Sequence, residues 1–307
     1  MSRPEVVADA LELLGDRGER DWSIASASTY RVGGPAAAML VADDVADLVF
    51  LSDVVRATGV DVLVVGNGSN LLVADSGFPG IAVQLGDGMA EIAIDGTSVV
   101  AGAAALLPVV ARQTVRAGLT GFEWAVGVPG SIGGAVRMNA GGHGSEMANS
   151  LRGVRVFDLR TGEDAVVPPA DLDLRYRRSS LTGDQVVVSV ELGLAPGDRA
   201  AGEDELSDIV RWRRANQPGG QNAGSVFTNP ADDSAGRLIE VAGCKGRRHG
   251  TAMVSDKHAN FIQADPDGSA DDVFALMVEV RDAVADATGV RLHPETVLVG
   301  FDSQIFA

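Results

Sequence analysis

Apolar positions recur at helical spacing over residues 4–14, 43–58, 106–117, 203–214, 235–241 and 270–288. Shorter apolar or alternating runs predict strands over 38–41, 61–65, 81–85, 91–95, 98–101, 154–159, 164–167, 185–192 and 258–262. The pattern is that of an α+β protein. Asp43 and Asp44 open the second helix and Gly59 follows it, a matched start and stop signal. In the last helix Val273, Leu276, Val280 and Val284 fall on one face. Pro108 lies in the first turn of the third, where a missing N–H is tolerated. The composition shift at Ala195-Pro196-Gly197-Asp198 predicts a boundary dividing the chain into residues 1–197 and 198–307.

Two glycine-rich segments interrupt this pattern. Residues 126–147 contain Gly127, Gly130, Gly133, Gly134, Gly141, Gly142 and Gly144, with Val126, Val128, Ile132, Val136 and Met138 threaded between them. Buried-type residues among the glycines predict a packed ligand loop rather than a linker, with backbone N–H groups close enough to face phosphates. The second segment, Gly66-Asn67-Gly68-Ser69-Asn70-Leu71-Leu72, follows the strand over 61–65. A Rossmann fingerprint needs a third glycine where this chain has Leu71, and no phosphate-loop Gly-Lys-Ser/Thr is present. Two such segments together predict a dinucleotide gripped from both sides.

Charge narrows the partners. A formal net charge of −17 repels nucleic acid and anionic membrane surfaces. An anionic small ligand then needs local cations, and the arginines over 175–178 and 211–214 can supply them. Cys244 is the single cysteine, which forbids an internal disulfide and fits a reducing compartment. The opening residues lack a signal-peptide apolar run, and the apolar run over 99–111 is broken by Pro108 and ended by Arg112. A soluble, cytoplasmic protein without membrane insertion is expected. The four histidines show no zinc spacing, so no metal site is expected, and there is no Gly-x-Ser-x-Gly elbow for a hydrolase.

Read in order, the Gly66–Leu72 segment, Gly127-Val128-Pro129-Gly130-Ser131-Ile132-Gly133-Gly134, Tyr176-Arg177, Ala223-Gly224-Ser225-Val226-Phe227 and Pro294-Glu295 resemble the UDP-N-acetylenolpyruvoylglucosamine reductase family. The resemblance runs from about Ser28 to Phe301 and is to the short subclass without a tyrosine lid. It implies an FAD-binding domain of two α+β subdomains, of the vanillyl-alcohol-oxidase (PCMH) type, over 1–197 and an α+β substrate-binding domain over 198–307. The implied cofactor is non-covalent FAD, with NADPH as reductant. The implied substrate is UDP-N-acetylglucosamine enolpyruvate, reduced to UDP-N-acetylmuramate for peptidoglycan by a protein expected to act as a monomer.

Residue by residue, the resemblance places Tyr30, Arg31, Gly33, Gly66, Asn67, Gly68, Ser69, Asn70, Leu71, Gly130, Ser131, Gly133, Gly134, Asn139 and Gly141 at the flavin. It gives Arg177 the developing enolate, Ser225 the proton for the α-carbon, and Glu295 the stabilisation or protonation of the enol. Tyr176, Arg213, Arg214, Asn229, Lys257 and His258 fall on its substrate contacts. Two positions depart from the family: Asn216 and Thr228 stand where many members carry lysine near the diphosphate. One alternative is an oxidase on the same fold with flavin tethered through His143. Another is a nucleotide-sugar binder without activity, against which Arg177, Ser225 and Glu295 together argue.

Overall fold

The computed structural model describes residues 3–306. Its helices are α1 (Arg3–Leu14), α2 (Val45–Thr58), α3 (Leu107–Arg116), α4 (Ile132–Arg137), α5 (Arg199–Asn216), α6 (Ala235–Val241) and α7 (Ala270–Thr288). Asp44 caps α2 by accepting from Asp47 N at 3.0 Å, and Gly59 ends it in the left-handed region, where glycine meets no Cβ penalty. Ser269 and Gly289 bracket α7 in the same way.

Several elements differ from the sequence pattern, among them the strands Glu19–Ser23, Leu71–Val73 and Ala252–Val254, which it does not predict. Helix α5 begins at Arg199 rather than Glu203, because Asp198 accepts from Ala201 N at 2.8 Å and caps a first turn that has no apolar stripe. Helix α4 forms inside the glycine cluster, capped by Ser131, where no helix was predicted. The expected strand over 258–262 begins only at Ile262. His258 to Phe261 is instead a turn closed by Phe261 N to His258 O at 3.1 Å.

The chain groups into two compact units, residues 1–20, 37–67 and 79–213, and residues 21–36, 68–78 and 214–307. The late break falls after residue 213 instead of 197 because α5, up to Arg213, belongs with the first unit. Leu206 and Ile209 enter the same core as Val115 and Leu119, and a Cβ on Gly202 would meet Val115 Cγ1 at 2.9 Å.

The first unit centres on an antiparallel sheet in the order Asp164–Val167, Leu151–Asp158, Gln185–Gly193, Ser98–Gly102, Ile92–Asp95. Side chains alternate across a strand, and here both faces are covered. Val187 and Val190 enter one core with α3 and α4, whereas Val186 and Val188 enter another with Leu48 and Leu51 of α2. That double burial explains why residues 186–190 read as an almost unbroken apolar run.

In the second unit α7 buries Val273, Leu276, Met277, Val280 and Val284 against Leu238 of α6, Val254 and Ile262. Ala252–Val254 pairs antiparallel with Ile262–Ala264, and Leu71–Val73 runs parallel to Val297–Val299, Leu71 opposite Val297. The parallel pair sets Asn70 beside Glu295, despite their distance along the chain: Asn70 Nδ2 donates to Glu295 O at 3.1 Å. Among the described residues no helix is long and apolar enough to cross a membrane.

Candidate active site

A cleft of about 690 Å³ lies wholly in the first unit, walled by Val64, Val65, Leu85, Ala103 and Val187. Asn67, Gln84, Ser131, Arg137 and Gln185 supply its polar edge. Apolar walls with a few polar groups suit a cofactor. The glycines are matched to this shape: a Cβ on Gly66 would meet Ser131 Oγ at 2.8 Å, and one on Gly133 would meet Ala103 Cβ at 2.9 Å. Gln84 Nε2 donates to Gly66 O at 3.0 Å, and Asn67 Nδ2 to Pro129 O at 3.3 Å, so the two glycine segments meet.

One expectation is corrected here. Ile132 N and Gly133 N do not face an open anion site; they donate to Ala105 O and Ala103 O at 2.8 and 3.0 Å. Gly130 N likewise donates to Val128 O at 3.0 Å. Pairing of residues 103–107 with this loop occupies the N–H groups of Ile132 and Gly133, and the loop itself occupies that of Gly130. Arg137, Gln84 and Gln185 also line the cleft and carried no sequence signal, because each lies inside or beside a regular element.

Gly141 leads to the expected cation. Arg177 is half-buried at φ 56° on a turn in which Arg175 and Arg178 exchange backbone hydrogen bonds of 2.9 and 3.0 Å. Its Nη2 donates to Gly141 O at 2.9 Å, and its Cζ lies 4.8 Å from the Tyr176 ring centroid. Asn139 is fully buried. Its Nδ2 donates to Arg175 O and its Oδ1 accepts from Ala148 N, both at 3.0 Å. With no accessible surface, Asn139 fastens the Arg177 turn rather than reaching a ligand.

In the second unit Ser225 immediately precedes Val226, whose carbonyl accepts from Glu295 N at 2.8 Å. Phe227 and Pro294 form a bridge, and Thr228 donates to His293 O through N at 2.9 Å and Oγ1 at 3.2 Å. Paired segments thus bring Ser225 and Glu295 together, both half-buried. Thr228, standing at a family lysine position, strengthens this pairing instead of supplying charge.

The residues of this unit expected at the flavin are placed mainly by backbone contacts. Tyr30 is fully buried in the core beside Ala223 and Leu72, where desolvation raises its pKa above the ordinary phenol range. Its hydroxyl has no hydrogen-bond partner among the described residues. Arg31 (φ 54°) and Gly33 (φ 110°) form the following turn, and Arg31 N bonds Ser28 Oγ at 3.0 Å. Gly68 O accepts from Thr29 N at 3.1 Å. Ser69 lies in the same loop, and Leu71 starts the parallel pair.

The expected substrate residues are largely engaged. Arg213 donates to Gly127 O, and burial lowers its pKa from the usual guanidinium value. Lys257 Nζ donates to Arg214 O at 2.5 Å, in the last turn of α5. Asn229 Oδ1 accepts from Ala235 N at the start of α6, at 3.0 Å. His258 Nδ1 accepts from Asn260 N at 3.2 Å, and burial is the main cause that lowers its pKa. His143 is exposed and lies edge-on to Trp212 at 5.2 Å between ring centroids. Among the described residues no cluster of three or more His, Cys, Asp or Glu is placed to hold a metal.

Comparison with known proteins bears on both units. A family model described as the C-terminal domain of UDP-N-acetylenolpyruvoylglucosamine reductase matches residues 216–299, and one described as an FAD binding domain matches residues 36–165. The UDP-N-acetylenolpyruvoylglucosamine reductase of Heliobacterium modesticaldum is 43% identical over 276 residues, covering 89% of this chain and 88% of that protein. That of Paramagnetospirillum magneticum is 40% identical over 293 residues, covering 95% of each. The crystal structure of the Thermus caldophilus reductase superposes with a TM-score of 0.81 at 36% identity, covering 92% of this chain and 99% of that one.

Proposed function

The chain belongs to the UDP-N-acetylenolpyruvoylglucosamine reductase family, FAD-dependent oxidoreductases of peptidoglycan precursor synthesis, and from that premise we propose how its residues divide the reaction. The backbone bond from Glu295 N to Val226 O supports the proposal, because it joins the segment that carries Ser225 to the segment that carries Glu295. FAD, when bound, supplies the chemistry of accepting hydride from NADPH and passing it to the vinyl carbon of the enolpyruvyl group.

The cleft residues Gly66, Asn67, Ser131, Gly133 and Gly134 hold the cofactor, with the glycines leaving the room that a Cβ would fill. Hydride addition turns the vinyl carbon into a methyl group and leaves negative charge on the α-carbon and its carboxylate. Such charge needs a preplaced cation in a site that excludes water. Arg177 meets that need with a planar fork that matches a carboxylate and its enolate form. Ser225 gives its hydroxyl proton to the α-carbon and recovers one from solvent. A serine hydroxyl is a weak acid, so it serves only a strongly basic carbanion held within hydrogen-bond reach. Glu295 stabilises the enol form from the adjoining segment. Tyr176, beside Arg177, and Arg214, Asn229, Lys257 and His258 border the nucleotide sugar, and Arg213 supports the glycine cluster through Gly127.

The test is anaerobic. One equivalent of NADPH should bleach the flavin of the purified protein. Adding UDP-N-acetylglucosamine enolpyruvate should then restore the oxidised spectrum and yield UDP-N-acetylmuramate. Bleached flavin that recovers only on admission of oxygen would refute the assigned substrate.

A further inference from the structure

We infer that Asn260 is the positioning residue for the proton donor, an inference that rests on the reading of Ser225 given above. Asn260 is 3% exposed and stands on the turn before Ile262–Ala264. Its main-chain O accepts from Val226 N at 2.9 Å. Its side chain adds two bonds to the next residue: Oδ1 accepts from Phe227 N at 3.0 Å and Nδ2 donates to Phe227 O at 2.8 Å. One carboxamide therefore binds both backbone groups of Phe227, as a neighbouring strand would. The other edge of the segment is held by Glu295 N to Val226 O and Thr228 N to His293 O, at 2.8 and 2.9 Å.

Residues 226–228 are thus bonded along both edges, and Ser225 is attached directly to that fixed stretch. Only a carboxamide serves here, since the site demands one donor and one acceptor on a short side chain. Aspartate offers acceptors alone, and one of its oxygens would face Phe227 O. Asn260 is itself oriented by its N–H bond to His258 Nδ1, 3.2 Å. The consequence is kinetic as well as structural. A displacement of about 1 Å at a reacting group can slow a step about 10²-fold, and the step exposed to this displacement is protonation, not flavin reduction.

The experiment compares Asn260→Ala, Asn260→Asp and Ser225→Ala holoenzymes in anaerobic single turnovers. Flavin reduction by NADPH and reoxidation by UDP-N-acetylglucosamine enolpyruvate are followed separately, in H₂O and in D₂O. Reduction should stay within about threefold of wild type in both Asn260 variants, while reoxidation of Asn260→Ala slows by about 10- to 100-fold. Its solvent deuterium effect should exceed that of wild type, because proton transfer then limits the rate. Asn260→Asp, which keeps the bond from Phe227 N, should fall between, and it decides the matter should the alanine variant not fold. If Ser225→Ala is slow but both Asn260 variants reoxidise within about threefold of wild type, the inference is overturned and the Ser225 reading stands. Equal slowing of both half-reactions with an unchanged solvent effect also overturns it. Normal reoxidation of Ser225→Ala would instead sink the reading beneath it.

Discussion

Arg177 and Ser225 are anchored by different parts of the chain. In the first unit Arg177 occupies a positive-φ turn, and its own guanidinium reaches back to Gly141 O. In the second, Ser225 makes no demand on its own side chain for placement; the backbone beyond it is bonded along both edges. A long cation is aimed by what its head group touches. A short hydroxyl can be aimed only by fixing the main chain that bears it. Each arrangement relies on a buried asparagine, Asn139 for the arginine turn and Asn260 for the serine segment, because a carboxamide can tie two backbone groups without introducing charge.

If this contrast is right, damage to the arginine's head group should be severe even when its turn survives. Arg177→Lys keeps a charge but loses the planar fork. Reoxidation of the reduced flavin by the enolpyruvyl substrate should fall by about 10²–10³-fold, with reduction by NADPH little changed in stopped-flow traces. Next in size is the cleft. Gly66→Ala drives a Cβ to 2.8 Å from Ser131 Oγ, and overpacking of about 1–3 kcal/mol should weaken flavin retention about tenfold or more by equilibrium dialysis. Gly142→Ala, which meets nothing within 4 Å, should retain flavin normally.

Asn139→Ala tests the arginine's support rather than its head group. Leaving buried backbone groups unpaired costs about 1–3 kcal/mol, lowering Tm by several degrees, and reoxidation should slow less than in Arg177→Lys. The smallest effect is a pH dependence at His258. Its folded-state pKa lies below the ordinary value, chiefly through burial. The unfolded chain therefore takes up the proton first. Stability contributed by the neutral ring is full above about pH 6.5 and declines as pH falls through that value toward the folded pKa. Thermal melts from about pH 8 to 5.5 should show a smaller acid loss in His258→Gln than in wild type.

The sequence pattern was most informative where local chemistry closes an element. Helices α6 and α7 occupy the predicted residues because Ser234, and Ser269 with Gly289, bracket clear apolar faces. It was least informative where tertiary bonds decide. Helix α4 lies among glycines with no helix propensity to signal it, and its first turn is held by Ala103 and Ala105 carbonyls from another part of the chain. The same holds at the site. Ser225 and Glu295 were recognisable as motif residues, yet nothing in their spacing revealed that Val226 pairs with Glu295. Asn260 sits in a segment visible as a motif, but its role depends on a turn where a strand was expected. Tyr30 looked like a ligand contact and is core, since an aromatic beside glycines reads the same way in either setting.

The measurement that tests this account most directly is the single-turnover reoxidation of NADPH-reduced Ser225→Ala by UDP-N-acetylglucosamine enolpyruvate under anaerobic conditions. Loss of a positioned general acid should slow reoxidation by about 10²–10⁴-fold while the preceding reduction proceeds at the wild-type rate. Reoxidation within about threefold of wild type, with UDP-N-acetylmuramate still formed, would contradict the assignment of the proton to Ser225.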